Sequence, residues 1–198
     1  MTERRRGSRQ SDTRAKILDA ARDLLLEEGY GTITTRRLGE RAGVRYQLVH
    51  YYFESLDELF VELFREGAEE NLARLDALAA GEVSLRTFWR VNTDASGGKL
   101  MTEFIALANH RPGLRREIVR YARDFRKRQA ELAERALVHD GLPTDVVPPV
   151  VIALLALALA ETVALDRSIG FEDGHAEAQE WINGFLSENA APENASDH

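Results

Sequence analysis

The stretch Thr34–Phe53, T-T-R-R-L-G-E-R-A-G-V-R-Y-Q-L-V-H-Y-Y-F, contains the residues whose types and spacing are best suited to binding chemistry. Two short helices that cross closely need a small residue at the crossing, and Gly39 provides it. The turn between them needs a positive backbone φ, which Gly43 provides four positions later. The inward positions carry apolar residues: Leu38, Val44, Val49 and Phe53. This pattern predicts a helix-turn-helix.

The second helix of this pair, about Tyr46–Phe53, places polar and aromatic side chains on its outer side. A helix of this kind fits the major groove of B-DNA. Gln47 suits a paired hydrogen bond to adenine, and Leu48 suits contact with a thymine methyl group. Hydroxyl and guanidinium groups suit phosphate oxygens. The candidate DNA-contacting residues are Thr35, Arg36, Arg45, Tyr46, Gln47, Leu48, His50, Tyr51 and Tyr52.

Charge is divided unevenly along the 198 residues, whose formal net charge is −7. Residues 1–53 carry 11 Lys or Arg and 7 Asp or Glu, whereas the remainder carries 15 and 26. A basic N-terminal quarter on an acidic chain confines contact with a polyanion to that end. Residues 1–12, with four arginines, are predicted to be a flexible basic arm that adds phosphate or minor-groove contacts. A chance distribution of charge remains the alternative.

Several kinds of catalytic site are excluded by composition. The chain has no cysteine, which excludes disulfides, thiolate catalysis and cysteine-ligated metals. Neither a G-x-S-x-G nor an H-E-x-x-H motif is present, and the five histidines have no metal-ligand spacing. Gly97-Gly98-Lys99 is followed by Leu100, where a phosphate-binding loop needs Ser or Thr. We therefore expect no enzyme activity, no metal site and no cofactor.

The elements that position these residues are predicted to be helices, because apolar residues recur with the helical period and strand-like alternation is scarce. The sequence predicts an all-α fold with about nine helices. Their expected ranges are Thr13–Glu28 after a cap at Ser11 or Asp12, Thr35–Ala42 after a cap at Thr34, Tyr46–Phe53, Leu56–Leu78 after a cap at Ser55, Ser84–Asn92, Leu100–Asn109, Pro112–His139, Pro149–Ser168 and His175–Ser187.

The most apolar stretch, Val150–Ala160, is closed by Glu161. A membrane span needs about 20 residues. We therefore predict a buried helix and no membrane association. The basic N-terminus has no apolar run behind it, so we do not expect it to be a signal peptide. The absence of cysteine suits a reducing compartment.

The motifs of Thr13–Phe64 resemble the N-terminal domain of TetR-family transcriptional regulators. The resemblance is carried by I-L-D-A-A, E-G-Y, T-T-R-R-L, A-G-V, Y-Y-F and S-L-D-E-L-F, which begin at residues 17, 28, 34, 42, 51 and 55. It implies a bacterial, cytoplasmic homodimer, usually a repressor, that leaves a palindromic operator when a small molecule binds. It also implies a helix-turn-helix domain over residues 13–54, a ligand-binding and dimerisation domain over 55–188 and a disordered tail over 189–198.

Three positions depart from that family pattern. His50 stands where Tyr is usual, and Arg45 stands where Ser or Thr often begins the recognition helix. Leu56 replaces a Lys that often meets a phosphate just after the cap of the fourth helix. The missing Lys keeps open an alternative function, a dimeric binding or scaffold protein whose helix-turn-helix no longer binds DNA. The operator sequence of relatives is therefore not transferable.

The resemblance also implies a dimer interface and an effector pocket in the C-terminal region. The expected interface, on the last two helices, is formed by Val151, Leu154, Leu155, Ala158, Trp181 and Phe185. The expected pocket, mostly apolar with a few polar groups, is lined by Phe88, Trp89, Asn92, Met101, Phe104, Ile105, His110, Tyr121 and Phe125. Ordinary core packing is the alternative for about half of the pocket residues, and a monomeric core helix is the alternative to the dimer.

Overall fold

The computed structural model describes residues 2–93, 98–144 and 148–189, with side chains from Asp12 onward. Within these ranges all regular structure is helical, which confirms the all-α fold. The helices are α1 (Thr2–Glu28), α2 (Thr35–Ala42), α3 (Tyr46–Tyr52), α4 (Leu56–Ala79), α5 (Leu85–Thr93), α6 (Gly98–Ala108), α7 (Pro112–His139), α8 (Pro149–Ser168) and α9 (His175–Asn189). A short 3₁₀ helix, Tyr30–Thr32, joins α1 to α2.

Local capping determines several of these helix ends. The Thr34 hydroxyl accepts a hydrogen bond from the Arg37 amide at 3.2 Å, which confirms the predicted cap of α2. The Ser55 hydroxyl likewise accepts from the Glu58 amide at 3.1 Å, and the Glu58 carboxylate accepts from the Glu54 amide at 2.7 Å. Reciprocal bonds of this kind fix the start of α4.

Helix α1 begins at Thr2, not at the predicted Thr13, so residues 2–12 continue a helix where a flexible arm was expected. Arginine is a good helix former, and no proline interrupts this segment. At the other end of the chain, α9 ends at Asn189, the first residue of the predicted tail. The rest of that tail, 190–198, lies outside the described residues.

The chain divides into two compact units. The first comprises residues up to Glu69 together with Leu100–Tyr121, and the second comprises Glu70–Lys99 together with the residues from Ala122 onward. This division differs from the boundary predicted between residues 54 and 55, because α6 and the start of α7 share a core with the first three helices. The functional division at that boundary stays a prediction.

The first unit is built around large, buried apolar side chains. Its core includes Ile17 and Leu25 of α1, Phe60 and Phe64 of α4, and Phe104 of α6. The Phe64 ring meets the rings of Phe104 and Tyr121 edge-on, with centroids 5.2 and 5.6 Å apart. This core fixes the helices on which α2 and α3 rest.

The second unit has its own core, in which the fully buried residues of α8 are alanines, while Ile152 and Leu159 pack half-buried against it. Ala153 and Ala156 of α8 are buried beside Phe88, Leu132 and Ile182. The larger side chains of α8 are exposed within this chain, so the prediction of a helix buried on most sides is wrong for the single chain. The physical reason is that the fully buried positions of α8 are alanines, with Ile152 and Leu159 half-buried, which leaves Val151, Leu154 and Leu155 on the outside.

Helix α8 is also longer than its most apolar stretch. Helix α8 has 20 residues, of which the most apolar 18 have a mean hydropathy of 2.0 and only 11% are buried, so by length and composition alone it would suffice to cross a membrane. The prediction of no membrane association was based on the short stretch Val150–Ala160, and the length of the complete helix does not support it. Its last third nevertheless carries Glu161, Asp166 and Arg167.

Candidate nucleic-acid interface

Gly39 and Gly43 create the close crossing of α2 and α3. A Cβ atom on Gly39 would lie 3.0 Å from the Val44 carbonyl oxygen and 3.1 Å from the Tyr46 Cα and N atoms. Gly43 has a φ of 67° and ends α2 in the left-handed conformation. The Val44 amide then donates to the Gly39 carbonyl at 2.9 Å. The two glycines therefore have the roles that their spacing predicts.

The inner side of the pair is fixed by burial. Leu38, Val49 and Phe53 are completely or almost completely buried in the first core, and Val44 packs against it half-buried. Arg14 of α1 lies over the Phe53 ring at 5.5 Å and pairs with Glu62 of α4. Helix α3, with seven residues, is too short to be stable by itself, so these contacts set its orientation.

The outer side of α3 is exposed. Tyr51 is 66% exposed, and Tyr46, Gln47, Leu48 and His50 are also on the surface. Arg45, which precedes the first turn, is exposed as well. The structure thus places most of the predicted contact residues on accessible surface of α2 and α3.

Two predicted contact residues are less accessible than expected. Tyr52 is half-buried and packs against the first core, with its ring edge-on to Tyr51 at a centroid distance of 5.1 Å. Thr35, the first residue of α2, is also half-buried. Tyr52 therefore contributes to the packing of α3 against the first core. Only the part of its side chain that reaches the surface is available for contact with DNA.

Neighbouring arginines of α2 have different partners. The Arg36 side chain is 85% exposed and bonds Glu40 of its own helix, with Nε and Oε1 3.0 Å apart. Arg37 pairs with Glu28 of α1 at 2.6 Å, and Arg41 bonds Glu27 at 2.5 Å. The hydrogen bond from Arg41 lowers the pKa of Glu27 below its usual value and raises the pKa of Arg41. Arg37 and Arg41 thus join α2 to α1, and Arg36 faces solvent.

The packing of Leu56 gives a structural reason for one departure from the family pattern, the absence of Lys at this position. The residue is half-buried and packs against the first core, directly after the Ser55 cap. An apolar side chain in this position contributes to stability and offers no charge to a phosphate. A phosphate contact from the side chain at position 56 is therefore excluded.

Long-range contacts that local sequence patterns did not predict hold the rest of the first unit together. Glu103 of α6 accepts a hydrogen bond from the Tyr30 amide at 3.3 Å. Arg111 donates to Asp57 at 2.8 Å and lies over the Phe60 ring at 5.2 Å. More than 50 residues separate the members of each pair, so local spacing carries no signal of them.

A further ion pair ties α4 to α7 within the same unit. Arg65 donates to Glu117 at 2.6 Å, and Arg120 bonds the other oxygen of that carboxylate. The hydrogen bond from Arg65 lowers the pKa of Glu117 below its usual value. Two arginines, one on α4 and one on α7, thus share one carboxylate of α7.

A family model described as bacterial regulatory proteins of the tetR family matches residues 17–63, which contain all of α2 and α3. Residues 17–63 therefore form an N-terminal domain of the tetR-family type. The match covers the buried core residues from Ile17 to Leu63, the two glycines and the outer face of α3. A comparison with curated proteins found no match.

Solved structures share the TetR fold over almost the whole chain. A transcriptional regulator from Rhodococcus sp. Rha1 is 21% identical, with a TM-score of 0.69 over 90% of this chain and 99% of that chain. One from Saccharomonospora viridis, in complex with choline, is 16% identical, with a TM-score of 0.72 over 92% and 99%. FadR from Bacillus subtilis, in complex with stearoyl-CoA, is 16% identical, with a TM-score of 0.59 over 78% and 88%.

The candidate effector residues divide between the two units. Met101, Phe104, Ile105, His110 and Tyr121 belong to the first unit, and Phe88, Trp89, Asn92 and Phe125 belong to the second. Phe104 and Phe88 are buried core residues, as the alternative of ordinary core packing anticipates. Ile105 is half exposed and His110 lies on the surface, so neither lines an interior space within its unit.

The candidate dimer residues form an exposed apolar surface on α8 and α9. Leu155 is 62% exposed and Trp181 is 70% exposed, while Val151, Leu154 and Phe185 are each more than a third exposed. Ala158 is exposed on the same helix as the leucines. The Trp181 and Phe185 rings stack with centroids 5.7 Å apart.

Among the described residues, no group of acidic or histidine side chains is arranged to hold a metal ion.

Proposed function

We propose that this TetR-family chain is a ligand-responsive transcriptional repressor. It binds a palindromic operator as a homodimer and is released when a small-molecule effector binds. The observation that carries the proposal is the seven-residue helix α3, buried on its inner side and exposing Tyr46, Gln47, Leu48 and Tyr51 on its outer side. A rigid helix with polar-tipped side chains outward suits the major groove.

The outer residues divide into those that read bases and those that position the protein. Gln47 has the amide geometry that pairs with adenine, and Leu48 offers an apolar contact to thymine. Tyr51, Arg36 and Arg45 are exposed and suited to phosphate oxygens. Arg36 would exchange its exposed pairing with Glu40 for a phosphate, at small cost because surface ion pairs contribute little.

The exposed apolar residues of α8 and α9 support a homodimer. Aliphatic side chains without hydrogen-bonding atoms gain nothing from water, and a large exposed apolar patch marks a contact with another surface. A second copy related by a two-fold axis covers the patch with the same residues. The pair of chains then presents two α3 helices, which read two half-sites of a palindrome. Membrane association of α8 is the competing outcome.

A small-molecule effector is supported by the solved structures that share this fold. One holds choline and another holds stearoyl-CoA, so the fold accommodates ligands of very different size and charge. The pocket candidates of the second unit, Trp89, Asn92 and Phe125, are half-buried beside its core. Regulation by a ligand needs no enzyme activity, so the proposed function includes none. A regulator that binds the bacterial chromosome acts in the cytoplasm.

The proposal is tested with purified full-length protein and labelled duplex DNA from upstream of its own gene. We expect specific, salt-sensitive retention in a gel-shift assay, because phosphate contacts release counterions on binding. A duplex of scrambled sequence and the same composition is the control. Sizing with light scattering measures the oligomeric state.

A dimer that retains neither duplex at low salt would overturn the regulator and favour the scaffold function, the alternative that Leu56 keeps open. A monomer in aqueous buffer that associates with lipid vesicles would overturn the dimer and favour a membrane role for α8.

A further inference from the structure

The basic residues of the acidic part of the chain are concentrated on helix α7. Residues 54–198 carry 15 Lys or Arg, and eight of them lie within residues 111–128, together with only two acidic residues. Like charges one turn apart on a helix repel each other and disfavour the helix. Helix stability alone therefore gives no reason for this concentration of positive charge.

Six of these cations are exposed on one side of α7. With 3.6 residues per turn, side chains three, four, seven or eight positions apart lie on the same side of a helix. The exposed cations follow this spacing from residue 115 to residue 127, over about 18 Å of helix. We call this surface the α7 basic face, and it consists of Arg115, Arg116, Val119, Arg120, Arg123, Arg126 and Lys127.

The two acidic residues of the segment lie toward α4. Glu117 accepts from Arg65 of α4 at 2.6 Å, and its side chain is only 15% exposed. A hydrogen bond from Arg128 to Asp76 of α4 raises the pKa of Arg128, and the charge of the nearby Asp124 adds to this effect. The acidic residues are thus engaged where α7 meets α4, and the α7 basic face has no acidic member.

Most cations of the α7 basic face are available to an outside anion. Arg120 bonds Glu117 but keeps a side chain that is 66% exposed, and Lys127 lies 3.9 Å from Glu131 with 77% of its side chain exposed. Exposed pairs of this kind contribute little to stability. The others form no ion pair with any residue that the structure describes: Arg115, Arg116, Arg123 and Arg126.

The composition of the α7 basic face narrows the choice of partner. Binding of single strands uses aromatic side chains that stack on bases, and insertion into a membrane uses large apolar side chains at the surface. The face has neither, because Val119 is its one uncharged member and the apolar side of α7 is buried through residues such as Leu114 and Leu132. Guanidinium groups, by contrast, form paired hydrogen bonds with phosphate.

We propose that the α7 basic face is a second, sequence-independent contact surface for the phosphate backbone of duplex DNA. It consists of residues other than those of α2 and α3 and goes beyond the proposed function, which needs no contact from α7. It rests on the proposed function only where a duplex is preferred to an acidic protein, since that function brings a duplex to the same molecule. The charge count by region predicts polyanion contact at the N-terminal end alone, because it averages over cations that the fold gathers on one face.

The experiment measures binding of the full-length protein to a duplex of scrambled sequence, by fluorescence anisotropy over a series of salt concentrations. The test variant combines Arg123→Gln with Arg126→Gln. The matched control combines Arg74→Gln with Arg167→Gln, which changes the net charge equally at exposed positions elsewhere. The slope of the logarithm of affinity against the logarithm of salt concentration should fall by about 2 in the test variant, because two phosphate contacts are lost, and stay unchanged in the control.

A charge-retaining variant separates contact from folding. Arg123→Lys combined with Arg126→Lys should keep the wild-type slope, and all three variants should melt within about 2 °C of the wild-type protein, because the changed residues are exposed. An unchanged slope in the test variant, or an equal decrease in test and control variants, would overturn the proposal. A lower melting temperature of the test variant would also overturn it, since the two arginines would then have a structural role.

Competition distinguishes other anionic partners. Poly-L-glutamate and phosphatidylserine vesicles, at the same concentration of charge, should displace the labelled duplex much less than unlabelled duplex does. Equal displacement by poly-L-glutamate would overturn the proposal in favour of an acidic protein. Vesicle binding that displaces the duplex equally and is lost in the test variant would overturn it in favour of a membrane surface.

Binding to the operator duplex separates this proposal from the proposed function. Gln47→Ala should weaken operator binding and leave the salt slope on the scrambled duplex unchanged. A preference for the operator, together with an unchanged slope in the Arg123 and Arg126 variant, would refute only the α7 basic face. A decreased slope without any preference for the operator would refute the repressor and leave the α7 basic face intact.

Discussion

Helices α3 and α8 both expose large side chains, but they distribute size and polarity in opposite ways. Helix α3 buries Val49 completely and exposes tyrosines, a glutamine and a histidine. Helix α8 buries Ala153 and Ala156 and exposes leucines and valines. In α3 Val49 is inside, and Leu48 and most of the polar-tipped side chains are outside. In α8 two alanines are buried, and large aliphatic side chains such as Leu154 and Leu155 are outside.

The difference indicates what each surface is suited to meet. Tyrosine, glutamine and histidine keep their hydrogen bonds with water and exchange them for bonds to bases or phosphates, so α3 is stable both free and bound. Leucine and valine gain only from the removal of water. In the proposed dimer, α8 therefore completes its burial against a second chain, whereas α3 completes its burial within its own chain.

The largest expected effect is on the α8 side of the comparison. Leu154→Asp places a charge in the proposed dimer interface, where an unpaired charge costs several kcal/mol, and should raise the dimer dissociation constant by roughly 100-fold or more. Analytical ultracentrifugation measures it. Val138→Asp changes an exposed valine of α7 and should leave the dimer intact. An undiminished Leu154→Asp dimer would refute the role of α8.

The next effect tests the crossing that supports α3. Gly39→Ala forces a Cβ against the backbone of Val44 and Tyr46, and should lower the free energy of unfolding by about 1–3 kcal/mol, with loss of DNA binding. Gly67→Ala, in the middle of α4 with nothing within 4 Å of its Cβ, should instead raise it by about 0.5–1 kcal/mol. Urea denaturation compares the two. Equal stability of both variants would contradict the close crossing.

A smaller effect tests base reading by α3. Gln47→Ala should weaken operator binding by roughly 1–3 kcal/mol and relax the preference at one base pair, without changing the dimer or its stability. Fluorescence anisotropy on operator duplexes with each base pair changed in turn measures this effect. Gln179→Ala on α9 is the control. Unchanged discrimination at every base pair would show that α3 does not read the sequence.

The smallest effect compares two neighbouring arginines. Arg36→Ala should lower the slope of the logarithm of affinity against the logarithm of salt concentration by about 1, because one phosphate contact is lost. Arg37→Ala should leave that slope unchanged and cost at most about 1 kcal/mol of stability, because Arg37 is engaged with Glu28. Identical salt slopes for the two variants would contradict the division between outward and inward arginines on α2.

Much of the fold is predictable from local signals. The bounds of α2, α7 and α8 agree with those predicted, because a capping threonine, a glycine with positive φ and prolines at helix starts are local features. Such signals also predict the outer face of α3. They did not predict the 3₁₀ helix at Tyr30–Thr32 or the start of α1 at Thr2, where no strong local signal is present.

By itself, the sequence determined the helical period, the two glycines of the crossing and the types of side chain that a duplex would meet. Only the tertiary structure decided that Arg37 faces Glu28 while Arg36 faces solvent, that Leu56 packs against the core, and that the fully buried residues of α8 are alanines. The physical reason is distance along the chain. Caps and turns act within a few residues, whereas the side of a helix that becomes buried depends on partners many residues away.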